Sequence, residues 1–377
     1  MENKELELTY DDLVEEHHVD DYKHLLDIIN IDNDKDIRGN FIFRGLKKKT
    51  YNLIPSALRY NEKTKEHHIN KFIIDSEFNF HITREHENEI DGEIIIGFSQ
   101  DIINKSNQPV DVDTMFSVSS DGAMQFKRES YVLLNFLDYA DKLGLKIPTS
   151  PYVRRRIHNH LSYLPKEKYI WPESDFYEII SLAQHYGIPT RALDWSYDFK
   201  VALYFATEDI LENNNDDCIL WAFNYKLFED NYHPHLDLIN PTHEPDEIVI
   251  YRPEYNNNLN LKAQKGLFTF IPTDINEADE IIEFDKIITD LLIKRRYHDE
   301  YDEKIILYHI GGFRKFGIKD DEKIFHKFVI SGNLKAKILK DLYDEGYAPE
   351  NIYPGFKGVV DSIKKRAKLD KIINKKE

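Results

Sequence analysis

The densest set of chemically capable side chains in this 377-residue sequence lies within residues 182–206, LAQHYGIPTRALDWSYDFKVALYFA. Amide, imidazole, hydroxyl, guanidinium and carboxylate groups all occur within this short stretch. The candidates are Gln184, His185, Thr190, Arg191, Asp194, Trp195, Ser196 and Tyr204. This stretch is therefore the first place to look for a functional site.

Each of these residues also has a purely structural interpretation. Arg191 and Asp194 are close enough in the chain to form an ion pair that locks a loop. His185 falls at the predicted end of a helix, where an imidazole can cap free carbonyl groups. Tyr204 and Phe205 lie in an apolar run that is typical of a core helix. The sequence leaves the structural and the functional interpretation open for each residue.

Local patterns predict the elements that position this stretch. FIFRG at 41–45 has the alternation of a short strand, and apolar residues over 127–143 recur at helical spacing up to Gly144. Asp175 and Glu178 are a plausible capping pair for a helix that ends at Gly187 and Pro189. Residues 190–194 are then expected to be extended, and 202–206 to form a buried helix.

The second half of the chain is richer in strand patterns. The predicted strands are 218–225, 247–251, 266–271, 304–310 and 323–330, followed by a helix from Ser331 to Leu342 that Gly346 closes. The strands and helices lack the regular spacing of βαβ units. We therefore predict an α+β fold with a mixed or antiparallel sheet core flanked by helices.

The amino-acid composition and net charge exclude several classes of protein. A hydrophobic fraction of 41% and an aromatic fraction of 13% argue against disorder, and the net charge of −18 argues against a general nucleic-acid or membrane-surface binder. The lone cysteine, Cys218, excludes an internal disulfide framework. The charged first residues and the absence of a long apolar run predict a cytoplasmic protein without a membrane partner. One domain over 1–377 is expected, with an acidic helical portion at about 1–40 and a basic helix at about 358–377.

Common nucleotide and metal motifs are missing from the sequence. It contains neither a P-loop nor a G-x-G-x-x-G turn, neither H-E-x-x-H nor G-x-S-x-G. Histidines crowd two segments, but without a spaced set of partners we expect no metal. Those segments hold His17, His18, Asp21 and His24, and His233, His235 and His243.

Several segments together resemble the FRG domain family of bacteria and phages. They are FRG at 43–45, YNLIPSALR at 51–59, LAQHYGIPTRALDW at 182–195, ALYFA at 202–206, AQKGLF at 263–268 and ISGNLKAKILKDLYDEGYAPENIYPGF at 330–356. The resemblance extends from about residue 25 to about residue 365. Leu46 departs from it where a Gln is usual, and Ala192 where an aliphatic residue is usual. The family context implies a toxin or an anti-phage effector.

More distantly, the order of motifs is similar to that of ADP-ribosyltransferases. Arg44-Gly45 stands on a first strand, Asp194-Trp195-Ser196 on a second, and Tyr204-Phe205-Ala206 on a helix behind it. This resemblance implies NAD as substrate and Arg44 as the grip on its pyrophosphate. It also implies that Ser196 orients the nicotinamide ribose and that Tyr204 stacks on nicotinamide. Further nucleotide contacts would come from Gly45, His185, Thr190, Arg191, Asp194 and Trp195.

The third motif strand lacks the glutamate that this resemblance implies. Gln264 is the nearest polar residue, and Glu254 upstream is the nearest candidate carboxylate. A neutral amide poorly stabilises the oxocarbenium-like positive charge that the ribose gains as nicotinamide leaves. Three functions therefore stay open: an NAD-cleaving enzyme, a non-catalytic nucleotide or protein sensor, and a nuclease built on Asp194, His185 and Glu178. For a nucleotide ligand, Arg44 and Arg191 are expected to form a small cationic pocket, and the acceptor of any transfer is open.

Overall fold

The computed structural model describes ten parts of the chain. They are residues 9–30, 37–61, 63–75, 78, 121–162, 169–212, 214–231, 248–275, 283–293 and 323–375. The predicted strand at 304–310 and the histidines at 233, 235 and 243 lie outside these residues.

Helices and strands are interspersed along the described chain. The strands are β1 (Val14–Val19), β2 (Ile42–Leu46), β3 (Tyr60–Asn61), β4 (Glu66–His67), β5 (Ile170–Trp171), β6 (Leu193–Ser196), β7 (Cys218–Phe223), β8 (Val249–Tyr251), β9 (Gly266–Phe270), β10 (Thr273–Asp274) and β11 (Phe325–Ile330). The helices are α1 (Tyr10–Leu13), α2 (Tyr22–Asn30), α3 (Ile37–Asn40), α4 (Asp121–Lys142), α5 (Pro151–Ser162), α6 (Tyr177–His185), α7 (Phe199–Thr207), α8 (Tyr225–Asn231), α9 (Leu259–Ala263), α10 (284–293), α11 (Lys335–Asp344), α12 (Pro349–Ile352) and α13 (Phe356–Ile373).

Seven strands form the central sheet in the order β1-β11-β7-β2-β6-β9-β8. The edge strand β1 runs parallel to β11, and the other neighbouring pairs are antiparallel. Helices cover the sheet, with α7 and α11 packed on one core and α4, α5 and α6 around another. The predicted α+β class with a mixed sheet is confirmed.

The ladder between β2 and β6 is much shorter than its neighbours. Phe43 opposite Ser196 is the registered pair of these two strands, whereas β2 pairs with β7 over the whole range from Ile42 to Leu46. The sheet is thus weakly joined between β2 and β6. A gap at this point can admit side chains and a ligand between the two strands.

Gly45 allows α7 to lie directly against β2. A Cβ atom at Gly45 would come within 1.9 Å of the Ala202 carbonyl oxygen and 2.7 Å of the Ala206 backbone nitrogen. Neither backbone atom can move without displacing the helix, so position 45 tolerates only glycine. The small residue next to Arg44 therefore brings α7 close to the gap in the sheet.

Most local sequence predictions agree with these elements. The strands at 41–45, 218–225, 266–271 and 323–330 and the helices at 127–143 and 202–206 are confirmed, with shifts of a few residues at some ends. The predicted opening helix is interrupted, because Val14–Val19 joins the sheet before α2 begins. The basic C-terminal segment is helical as α13. Within the described residues, no helix is long and apolar enough to cross a membrane.

Candidate functional site

A cavity of about 190 Å³ opens where β2 and β6 separate. Its walls come from β2, β6, β9, the end of α6, one face of α7 and the loop after α12. The lining residues are Phe43, Arg44, Gly45, Gln184, His185, Asp194, Trp195, Ser196, Val201, Ala202, Phe205, Leu261, Gln264, Gly266, Leu267, Phe268 and Tyr353. The volume is below the 300 Å³ or so typical of sites for drug-sized ligands, so the cavity could enclose one end of a larger molecule.

Arg44 crosses the gap between the strands and contacts Asp194 twice. Its Nη1 atom lies 2.6 Å from the Asp194 carboxylate and donates a hydrogen bond of 2.6 Å to the Asp194 backbone oxygen. The Arg44 side chain is only 9% exposed, whereas that of Asp194 is 55% exposed. The guanidinium therefore lies behind the carboxylate, and the carboxylate faces the cavity. Arg44 and Asp194 thus form an ion pair across the gap between β2 and β6.

The surroundings of Asp194 keep its carboxyl group ionised. Packing around the group raises its pKa, but the charge and hydrogen bond of Arg44 and the Gln184 amide lower it, and the net pKa lies below its usual range. Gln184 donates to Asp194 at 3.3 Å and accepts from Thr190 at 2.8 Å. Thr190 is buried and fixes Gln184. The cavity thus contains an anion held in place from two sides.

His185 is the imidazole of the cavity. It is the last residue of α6, and burial lowers its pKa while the charge of Asp194 acts in the opposite direction. At neutral pH the ring is therefore unprotonated. Among the described residues, no hydrogen bond of the His185 ring is seen, so it does not cap the helix as one interpretation suggested. A neutral imidazole beside a carboxylate is suited to accept a proton.

Arg191 does not pair with Asp194 and does not line the cavity. Its Nε atom lies 2.8 and 2.9 Å from the two carboxylate oxygens of Glu129, which also accepts from Gln125 and Trp171. The predicted Arg191–Asp194 pair and the cationic pocket of Arg44 with Arg191 are therefore wrong. In an extended segment, side chains three positions apart point to opposite faces, so Arg191 faces away from Asp194.

The second cation in the neighbourhood of Arg44 is Arg59. Burial, together with the nearby charge of Arg44, lowers the pKa of Arg59 to about 10. Its Nε atom donates to the Ile54 backbone oxygen at 3.0 Å. Arg59 remains charged at neutral pH and stands behind Arg44 rather than in the cavity wall.

Ser196 and Gln264 meet at the floor of the cavity. The Ser196 hydroxyl donates to the Gln264 backbone oxygen at 2.7 Å and accepts from the Asp198 backbone N–H at 2.9 Å. Ser196 is buried, and the Gln264 amide donates to the Ile352 backbone oxygen at 3.4 Å. Both residues line the cavity, but their polar groups already join β6 to the chain before β9.

The aromatic wall of the cavity comes from Phe205 and Tyr353. Their rings meet edge to face with centroids 6.4 Å apart. Tyr204 is fully buried on the other side of α7, where its hydroxyl accepts from Lys365 at 3.0 Å. The structure thus turns Phe205 toward the cavity, and Tyr204 packs in the core. Phe205 is therefore better placed than Tyr204 for the stacking role that the resemblance implied.

Two further predicted residues contribute no polar group to the cavity, although Trp195 is among its lining residues. The Trp195 indole is buried and donates to the Thr269 hydroxyl at 2.9 Å, so it serves the core under β6 and β9. Glu254 is exposed in the loop before Tyr255 and does not line the cavity. The carboxylate of the cavity is therefore Asp194, not Glu254.

Sequence reasoning missed Phe205 and Tyr353 as wall residues, although it named Gln184 among the candidates. A signal existed for Phe205, because Val201 and Phe205 are one helical turn apart and share a face of α7. Gln184 was visible as a polar residue, but its contact with Asp194 depends on the turn between α6 and β6. Tyr353 lies far along the chain, and no local pattern connects it with this site.

Comparison with known families now adds one finding. The model of the FRG domain family matches residues 128–215. The chain contains an FRG domain. Neither the curated proteins nor the solved structures include a significant match to this chain.

The FRG domain supplies one half of the cavity. Gln184, His185, Asp194, Ser196 and Phe205 fall inside the matched residues 128–215, as does the Glu129–Arg191 pair. Arg44, Gln264 and Tyr353 come from chain on either side of the FRG domain, and so does the tripeptide Phe43-Arg44-Gly45. The cavity is thus completed by segments that flank the matched domain.

Proposed function

We propose that the cavity binds NAD and cleaves the bond between nicotinamide and ribose, as an ADP-ribosyltransferase or NAD glycohydrolase. The observation that carries the proposal is the Asp194 carboxylate, paired with buried Arg44 on one side and exposed to the cavity on the other. Nicotinamide in NAD carries a positive charge, and the ribose gains positive charge as the bond breaks. A fixed anion in a partly enclosed site stabilises both.

The arrangement of motif strands supports this proposal. β2 with Arg44 and Gly45, β6 with Asp194 and Ser196, and β9 with Gly266 are consecutive in the sheet. These are the three strands that carry the ADP-ribosyltransferase-like motifs of the sequence. The third strand lacks a glutamate, and Asp194 on the middle strand provides a carboxylate in the same cavity.

His185 gives the site a proton acceptor. In the proposed reaction the C–N bond breaks, and its electron pair leaves with nicotinamide as a neutral base. The ribose carbon is then attacked by water or by a nucleophile of an acceptor, which loses its proton to the unprotonated His185 ring. The step needs no oxidant and no metal, and its charges balance when His185 later releases the proton.

The aromatic residues suit the leaving group. Phe205 and Tyr353 offer an apolar wall against which a nicotinamide ring can lie. A cavity of about 190 Å³ accommodates this end of NAD, and the adenosine end would extend into solvent or over the surface. Arg44, tied to Asp194, acts in this proposal by holding the carboxylate rather than by gripping phosphate.

The decisive experiment measures nicotinamide release from NAD by the purified protein, with and without a bacterial lysate as acceptor source. Asp194→Asn should lower the rate by about 10²–10³-fold, because it removes the charge while keeping the shape. Asp216→Asn is a matched control, since the Asp216 side chain is 57% exposed and pairs with Lys48 at 2.8 Å outside the cavity. Intact NAD after long incubation under both conditions contradicts the proposal.

A second candidate is a nucleotide sensor without turnover. Ser196 and Gln264 favour it, because their polar groups are occupied within the protein and Gln264 brings no charge. Calorimetry with NAD and ADP-ribose separates the two functions. Binding that Phe205→Ala weakens, without release of nicotinamide, assigns the cavity to sensing.

The nuclease hypothesis has less support from the geometry. Among the described residues, the cavity wall contains one arginine and no lysine, so a polynucleotide backbone finds few cations there. Glu178 accepts a hydrogen bond from Tyr251 and does not line the cavity.

A role as toxin or anti-phage effector goes with the enzyme proposal. Induced expression should arrest bacterial growth, and Asp194→Asn should relieve the arrest.

A further inference from the structure

A second cluster of functional groups lies at the opposite end of the sheet from the cavity. β1 forms the edge there, and its Glu15 and His17 point to the same face as His326 of β11, since Glu15 pairs with His326 in the register. The three side chains meet with one potential ligand atom each. None of them takes part in the site described above.

The distances within this cluster match a tetrahedral metal centre. His17 Nε2 lies 3.0 Å from His326 Nδ1, and the Glu15 carboxylate lies 3.6 Å from His17 Nε2 and 3.4 Å from His326 Nδ1. Bonds of about 2.0–2.1 Å in tetrahedral geometry place ligand atoms about 3.3–3.4 Å apart. A single ion therefore fits between the three atoms with shifts of a few tenths of an ångström.

We propose that Glu15, His17 and His326 bind one divalent transition-metal ion, for which Zn²⁺ is the best match, with solvent as the fourth ligand. Two imidazoles and one carboxylate are a ligand set that Zn²⁺ takes in proteins. The Glu15 side chain is 47% exposed, which leaves the ion open to water on that side. This inference is independent of the proposed NAD chemistry.

Neighbouring aromatic rings hold the two imidazoles in place. Phe328 stacks on His17 with centroids 4.9 Å apart, and Phe41 lies against His326 at 5.4 Å. The histidine side chains are 16% and 15% exposed, so their orientations are fixed by packing before any ion arrives. An imidazole binds a metal ion in its neutral form.

Besides these small shifts, metal binding requires a change of tautomer. Without an ion, one proton lies between His17 and His326 in their 3.0 Å hydrogen bond. That proton moves to the other nitrogen of its ring, and both facing nitrogens then present lone pairs to the ion. The ion would join residues 309 positions apart and fasten the edge strand β1 to β11. Its expected effect is to stabilise this edge of the sheet.

The test uses the full chain without a histidine tag, freed of metal by a chelator. Titration with Zn²⁺ against a chromogenic chelator should show one tight site, and Co²⁺ should give the intense visible absorption of tetrahedral coordination. Glu15→Gln and His17→Gln should each weaken Zn²⁺ binding by at least about 10–100-fold, the cost of losing even a supporting residue of a metal site.

His18→Gln is the matched control. His18 is a neighbour on the same strand, points to the other face, lies 3.4 Å from Glu16 and is 71% exposed. It should leave the affinity unchanged. Equal affinities in the wild type, Glu15→Gln and His17→Gln overturn the proposal, as does an equal loss in His18→Gln. Circular dichroism identifies variants that fail to fold, and half-exposed Glu15 keeps the test valid if His17→Gln is among them.

Discussion

Two arginine–carboxylate pairs involve the chain that follows α6, one through Arg191 and one through Asp194, and they differ in what surrounds the carboxylate. Glu129 receives hydrogen bonds from Arg191, Gln125 and Trp171, and its side chain is 4% exposed. The Asp194 carboxylate forms an ion pair with Arg44 and accepts a hydrogen bond from Gln184, and its side chain is 55% exposed. The cavity beside Arg191 measures about 10 Å³, against about 190 Å³ beside Arg44.

This contrast distinguishes a structural ion pair from one that we propose to be functional. The Glu129 pair is saturated and has room for no more than a water molecule, so it can only hold elements together. The Asp194 pair keeps part of its carboxylate free toward solvent, while the buried Arg44 Nε has no hydrogen-bond partner among the described residues. A pair left incomplete in this way has bonding capacity for a ligand.

The largest effect should come from breaking the saturated pair. Glu129→Ala leaves Arg191 buried without a counter-charge and removes an acceptor from each of Gln125 and Trp171. We expect a loss of about 3–5 kcal/mol in the free energy of unfolding. Urea denaturation followed by circular dichroism measures it. If the loss is no larger than that of Asp194→Asn, the two pairs are not different in kind.

Asp194→Asn should affect the rate of nicotinamide release more than the stability of the fold. Asp194→Asn takes the counter-charge from buried Arg44 but keeps a side-chain oxygen and the backbone oxygen as acceptors, so we expect the free energy of unfolding to fall by about 1–3 kcal/mol, less than for Glu129→Ala. Nicotinamide release should fall by about 10²–10³-fold, equivalent to about 2.7–4 kcal/mol in the barrier. The same urea series and a rate assay check both values. A large loss of stability with an unchanged rate would make Asp194 a second structural anchor.

The pH dependence of turnover reports on His185. Burial places its pKa below the ordinary value of about 6.5, and in the proposed reaction the unprotonated ring accepts the proton. Turnover should therefore be constant around neutral pH and fall as the pH drops through the His185 pKa, about tenfold for each unit below it. His185→Gln should lower the plateau and remove this limb. A limb that persists in His185→Gln assigns the titration to another group.

The comparison of the two pairs also shows what sequence can and cannot reveal. The elements follow from local patterns, since FIFRG alternates like a strand and α6 ends before Gly187, whose φ of +91° suits glycine. Arg191 and Asp194 were both visible as candidates, but their partners are Glu129 on α4 and Arg44 on β2. Which charge meets which depends on strand register and helix packing, and spacing along the chain does not determine either.

The metal cluster illustrates the same limit more sharply. His17 was noted with His18 and His24 because they are neighbours in sequence, and no metal was expected from that spacing. Its partner in space is His326, which only the parallel pairing of β1 with β11 brings to it. Parallel pairing joins distant segments, so no local pattern could connect these two residues.

The smallest expected effect concerns Ser196, which lies in the cavity wall but is saturated like Glu129. Ser196→Ala leaves the Gln264 carbonyl and the Asp198 amide without their partner, so we expect a loss of about 1–2 kcal/mol in the free energy of unfolding. If saturation marks a structural role, nicotinamide release changes by a few-fold at most. The free-energy effects of Ser196→Ala and Asp194→Asn on the rate should then add in the double variant, because Ser196 stabilises the fold and Asp194 stabilises charge in the reaction. If instead the hydroxyl turns from Gln264 to orient a bound ribose, Ser196→Ala lowers the rate strongly and the double variant loses less than the sum. That outcome would show that a side chain whose hydrogen bonds are satisfied within the protein can still bind the ligand. The inference that such satisfaction marks a structural role would then hold for ion pairs such as those of Glu129 and Asp194 only.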